Sequence, residues 1–144
     1  MYRHVLIATD GSELAGKAVT HGIELARTLN AKATAITVTA PWDAAIGKVV
    51  VATPEQDYEH MVTLRAQETL AGVARLAEAA GVPCELIHKR APVVYAAVIG
   101  TAEALGCDVI VVASHGRRGL EGLIVGSETQ RILSHSKIPV LVYR

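Results

Sequence analysis

Asp108 to Ala113, "DVIVVA", places four β-branched residues (Val109, Ile110, Val111 and Val112) in succession, with no polar residue among them. A strand with one wet face alternates polar and apolar residues. A run without alternation needs cover on both faces and reads as a central strand of a parallel sheet. That need limits the chain to folds in which helices pack on both sides of a sheet.

The remaining sequence supplies those helices by alternation. "HVLIATDGS" reads as a buried strand from about Arg3 to Thr9, followed by a turn. Ser12 then caps a helix carrying Leu14, Ala18, Gly22, Leu25 and Leu29 at helical spacing, with Glu13 at the positive end of its dipole. "AKATAITVTA" is a second strand, ended by Pro41. A long helical pattern runs from about Asp57 to Ala80 and stops at Gly81-Val82-Pro83. "CELIH" alternates as an edge strand does, and Pro92 suits the first turn of a helix ending near Leu105-Gly106. A helix from about Ser127 to Ser134 and a last strand in "IPVLVYR" complete the pattern. The 144 residues therefore predict one α/β domain, an open doubly wound parallel sheet of five strands in the order 3-2-1-4-5. Only Pro41 to Gln56 shows no period, and "KVVVATPEQ" within it reads as a short strand or a mobile flap.

Composition narrows the function. Fourteen basic residues balance fourteen acidic ones, and aromatic residues make up 3% of the chain. Nucleic-acid binders draw on a basic field and often on aromatic stacking platforms, and this chain has neither in bulk. No apolar run approaches membrane-spanning length and no signal segment opens the chain, so the expected location is the cytoplasm. Cys84 and Cys107 form no metal or redox motif and are expected to be two buried thiols. His4, His21, His60, His88 and His135 form no usable spacing.

Doubly wound sheets bind ligands beyond the carboxyl ends of their strands, where the strand order reverses. In the expected order that point lies between the first and fourth strands. Two unusual loops meet there: "TDGS" and "ASHGRRGLEGLIVGS". Glycines in the second loop let successive N–H groups face an anion. Gly126-Ser127 then opens a helix whose free N–H groups suit a phosphate, with Ser127 and Gln130 as a capping-box pair. Asp10 faces this loop and can accept from a ribose or base, or hold a divalent ion. His115, Arg117 and Arg118 can contact phosphates. Each feature also has a plain structural role: the glycines turn, Ser127 caps, Asp10 shapes its own turn, and the basic residues stay in water. There is no Walker A loop, no GxGxxG after the first strand and no GxSxG elbow.

Taken together, "VLIATDGSELA", "CDVIVVASHGRRGLEGLIVGSETQRIL" and "KIPVLVYR" resemble the universal stress protein family over essentially the whole chain. The nucleotide-binding members carry G-x2-G-x9-G-[ST], which falls here on Ala113, Gly116, Gly126 and Ser127, with alanine in place of the first glycine. The resemblance implies a five-stranded doubly wound fold, bound ATP and a homodimer. It places adenine and ribose near Ala8, Thr9, Asp10 and Val38. It places phosphates near Val112, Ala113, His115, Gly116, Gly126, Ser127, Glu128 and Thr129. ATP is the expected ligand, with AMP or ADP as alternatives and Mg2+ or Mn2+ as the accompanying ion. An added methyl at Ala113 is harmless if its φ is negative and the methyl points away from the ligand. The apolar last strand is expected to sit at the sheet edge and to pair with its copy in a second subunit. No catalytic residue is assigned, so hydrolysis is expected to be slow or absent. A dimeric interaction protein that has lost the nucleotide site is the alternative. A small-molecule enzyme or a carrier of another nucleotide is disfavoured by the lack of a catalytic base.

Overall fold

A computed structural model of the chain describes residues 1–46, 54–116 and 125–144. The elements follow in the order β1 (His4–Ala8), α1 (Glu13–Thr28), β2 (Lys32–Thr39), α2 (Trp42–Ile46), α3 (Glu55–Ala80), β3 (Cys84–Arg90), α4 (Val94–Ala104), β4 (Val109–Ala113), α5 (Ser127–His135) and β5 (Val140–Tyr143). The five strands form one sheet in the order β3-β2-β1-β4-β5, and every pairing is parallel. The order therefore reverses between β1 and β4, as expected.

Side-chain alternation along each strand divides the core in two. Val5 and Ile7 of β1, with Ala33, Ala35, Val109 and Val111, meet α1 through Val19, Ile23 and Ala26, and α3 through Leu70, Val73 and Ala77. Leu6 of β1, with Ile36, Ile110 and Val112, faces α4 through Val98 and Ala102 and α5 through Ile132. All five residues of β4 are buried, which is the outcome its unbroken apolar run demands. Covering each Val or Ile side chain contributes about 1.5–3 kcal/mol, so β4 is the strand least able to lose either helical layer.

Several boundaries differ from the sequence expectation for local reasons. Pro41 to Gln56 contains α2, and α3 begins at Glu55 rather than Asp57. Lys48 to Thr53 of the expected strand or flap lie outside the described residues. Pro92 does not enter the first turn of α4: Val93 is the N-cap and the helix starts at Val94. Cys107 is buried as expected, but Cys84 on edge strand β3 is only half-buried.

Candidate functional site

The carboxyl ends of β1 and β4 carry the two loops that the strand reversal leaves uncovered by a crossover. After β1 the chain turns at once. Thr9 N–H donates to Ile36 O at 3.0 Å, its carbonyl accepts from Thr37 Oγ1 at 2.9 Å, and its hydroxyl accepts from Gly11 N at 3.2 Å. Gly11 has a φ of 78°, the left-handed region that glycine enters without strain. Asp10 Oδ1 accepts from Ser12 N at 2.9 Å, and Ser12 Oγ accepts from Ala15 N at 3.3 Å as the cap of α1. Asp10 is exposed, so the turn presents a carboxylate at the rim of the sheet.

The second loop reaches that carboxylate. A methyl built on Gly116 would lie 2.2 Å from Asp10 Oδ2, so only bare backbone fits against this side chain. At the loop's far end, Gly126 N–H donates to Ser114 O at 2.5 Å. A methyl on Gly126 would lie 3.2 Å from both Ser114 O and His115 Cα. The two motif glycines therefore sit where backbone comes close to another group, and Gly116 and Asp10 are brought together as expected. Arg117, Arg118, Gly119 and Gly122 lie outside the described residues.

Ala113 stands where the family pattern has its first glycine. Its methyl packs in a small cluster with Ala15 and Ala18 of α1, flanked by Leu14 and Tyr143. Among the described residues Asn30 is the one non-glycine with positive φ, so Ala113 has an ordinary strand backbone. Its φ is not positive, and its side chain is turned into the core.

The start of α5 corrects one expectation. Gly126, not Ser127, is the N-cap, and it offers no side-chain hydrogen bond. Gln130 does not close a capping box; its Nε2 donates to Val125 O at 3.1 Å. With no cap side chain, the first-turn N–H groups of Ser127, Glu128 and Thr129 have no acceptor within the helix. The side chains of the next two residues are already engaged. Glu128 Oε2 accepts from Tyr95 N at 3.2 Å, and its Oε1 pairs with Arg131 at 2.8 Å. Buried Thr129 donates through Oγ1 to Ala113 O at 2.8 Å. Tyr95 was not legible as a partner in the sequence, because it lies thirty-three residues from Glu128.

The apolar members of the expected site face inward. Val112 belongs to the core between the sheet and α4, and half-buried Ala8 and Val38 pack on the same cluster. His115 Nδ1 lies 3.3 Å from Ser114 Oγ. Among the described residues no three His, Cys, Asp or Glu side chains form a group able to hold a metal ion. A cleft of about 520 Å³ between α1 and α3, lined in part by Ile23, Arg27 and Leu76, lies on a different face of the molecule.

The universal stress protein family model matches residues 1–144. The chain belongs to the universal stress protein family. Among similar members, universal stress protein MJ0531 of Methanocaldococcus jannaschii is 30% identical over 149 residues, covering all of this chain and 83% of the relative. Universal stress protein A homolog 1 of Coxiella burnetii is 31% identical over 140 residues, covering 97% of this chain and 94% of its own. In three dimensions this family member superposes on hypothetical protein MJ0577 of M. jannaschii with a TM-score of 0.84, at 24% identity and with 99% and 96% of the two chains covered. A universal stress protein in complex with cAMP gives a TM-score of 0.75 at 22% identity, covering 99% and 97%. One from Archaeoglobus fulgidus in complex with dAMP gives 0.73 at 16%, covering 99% and 98%. These structural neighbours share the fold. No helix among the described residues is long and apolar enough to cross a membrane.

Proposed function

We propose that this universal stress protein binds an adenine nucleotide, ATP foremost, at the carboxyl edge between β1 and β4, and acts as a stress-response or signalling module with slow or no hydrolysis. The observation that carries the reading is the head of α5, which starts on a capless Gly126 at the point where the strand order reverses. Backbone N–H groups without helical acceptors, together with the helix dipole, suit a phosphate. Asp10 across from Gly116 is poised for a ribose hydroxyl, with the backbone near Ala8, Thr9 and Val38 beside the base. Two neighbours whose structures hold cAMP and dAMP support the adenine preference. With no three-ligand group of His, Cys, Asp or Glu among the described residues, Mg2+ or Mn2+ would arrive with the phosphates, as Mg2+ usually does.

The same reading includes a cytoplasmic homodimer formed along β5. Pro139 and Tyr143 carbonyls accept from Ile110 and Ser114 of the β4 side. The alternate residues Val140 and Val142 therefore turn their backbone polar groups outward, as an open parallel edge does. A second copy of β5 would satisfy them.

Thermal unfolding with and without Mg·ATP tests the nucleotide reading. At a ligand concentration of 100 times Kd, binding adds about 2.7 kcal/mol of stability. For a chain of this size that raises Tm by roughly 5–10 °C. An unchanged Tm at millimolar ATP would refute the proposal. A shift that survives bulky replacements at Gly126 and Ser127 would move the site elsewhere.

A further inference from the structure

We propose that Glu128 and Thr129 are positioning residues, a two-sided clamp that fixes the first turn of α5 so that its backbone, and neither side chain, meets the anion. This rests on the nucleotide reading above. Thr129 ties the turn inward to the end of β4: its hydroxyl donates to Ala113 O at 2.8 Å and is buried. Glu128 ties it sideways to the start of α4, accepting from Tyr95 N at 3.2 Å while Arg131 balances its charge at 2.8 Å. One bond anchors the turn to the sheet and the other to the neighbouring helix, which fixes both its depth and its rotation.

The clamp also settles an electrostatic conflict. A carboxylate beside a bound phosphate repels it, yet residue 128 lies in the first turn of the helix that would hold the phosphate. Accepting from the Tyr95 N–H at the head of α4, and pairing with Arg131, directs this charge to a second helix dipole. Thr129 likewise has its one hydroxyl hydrogen committed to Ala113 O, so that proton is not offered to a ligand. What these two residues leave directed at an anion is main chain, held in place by side chains that do not touch it.

The test combines calorimetric titration of ATP with amide hydrogen exchange. Thr129→Val keeps the shape and removes the hydrogen bond; Thr129→Ser restores it. We expect Thr129→Val to weaken ATP binding roughly tenfold, the scale of one lost buried hydrogen bond. Exchange should quicken at the Gln130 amide, which donates to Gly126 O at 2.9 Å, but not at the Ser136 amide at the far end of α5. Thr129→Ser should recover both properties. A residue that only stabilises the fold would lower Tm and leave Kd, measured well below Tm, unchanged; a wild-type Kd in Thr129→Val overturns the proposal. If Thr129→Val does not fold, Glu128→Ala, with Glu128→Gln as the variant that keeps an oxygen for Tyr95 N–H, gives the same two readouts. If the wild-type protein binds no ATP, the nucleotide reading falls. The exchange data then decide the clamp alone, and unaltered protection at Gln130 refutes it.

Discussion

A methyl at Gly116 meets the far end of an exposed side chain, whereas a methyl at Gly126 meets backbone, and the two should therefore fail differently. Gly116→Ala displaces the exposed Asp10 carboxylate and disturbs the hydrogen bond it accepts from Ser12 N, so stability should fall by about 0.5–1 kcal/mol. Nucleotide affinity should fall, because the displaced group is the one poised for ribose. Gly126→Ala presses on Ser114 O and His115 Cα, which cannot swing away, and should cost about 1–3 kcal/mol. Urea unfolding and ATP titration of both variants measure the contrast, and equal stability losses would contradict it. A second residue-scale outcome concerns pH. His4 is buried with Nε2 2.8 Å from Thr34 Oγ1, and burial, aided by the Lys32 cation, holds its pKa below the usual 6.5. The folded state thus prefers the neutral ring. Above pH 6.5 both states are mostly neutral and this contribution is fully present. Below pH 6.5 the unfolded chain takes up the proton first, so stability falls as pH drops towards the lowered folded value. The urea midpoint of the wild type should decline from pH 7 to pH 5 more steeply than that of His4→Gln. Parallel declines would contradict the assignment.

Helix α1 shows how close packing can outweigh propensity at the scale of an element. Gly22 lies on its buried face, where an added methyl would stand 2.9 Å from both Cγ1 and Cδ1 of fully buried Ile7. Alanine gains about 1 kcal/mol over glycine in a helix interior. Overpacking a core costs about 1–3 kcal/mol, so Gly22→Ala should be destabilising by about 1 kcal/mol net in urea unfolding. A stabilised variant would show that α1 can lift from β1 freely. Elements of this kind were legible in the sequence wherever one segment carried its own signal. The unbroken run of β4 and the helical pattern of α1 are properties of a few adjacent residues, and both elements stand where they were expected. On α1, however, Ala15, Val19, Ile23 and Ala26 are buried beside Ala18 and Gly22, while Leu14 and Leu25 are half-buried and Leu29 is the C-cap. Five-residue α2 is too short to show a period. The Ser127 and Gln130 spacing matches a capping box, yet backbone geometry gives the cap to Gly126. A sequence pattern records which residue types are spaced correctly, not which one takes the extended φ and ψ. The bonds from Glu128 to Tyr95 and from Thr129 to Ala113 join distant segments, and no local pattern announces them. Ala113 departs from the family pattern, and only packing against α1 shows where its methyl goes.

For the whole molecule, the decisive features are the unpaired edge of β5 and the carboxyl edge of the sheet between β1 and β4. If β5 pairs with its copy, sedimentation should give about twice the 15.2 kDa chain mass. Val142→Pro removes an outward N–H while leaving the carbonyls of Pro139 and Tyr143 on β4, so it should yield a folded monomer. A wild-type monomer, or a dimeric Val142→Pro, would put the interface on another surface. Amide chemical shifts during an ATP titration with Mg2+ test whether an adenine nucleotide binds where the strand order reverses. Saturable shifts should concentrate at Thr9 to Ser12, Gly116 and Ser127 to Thr129. No shifts at millimolar ATP, or shifts gathered instead around Ile23, Arg27 and Leu76 in the cleft between α1 and α3, would contradict binding there.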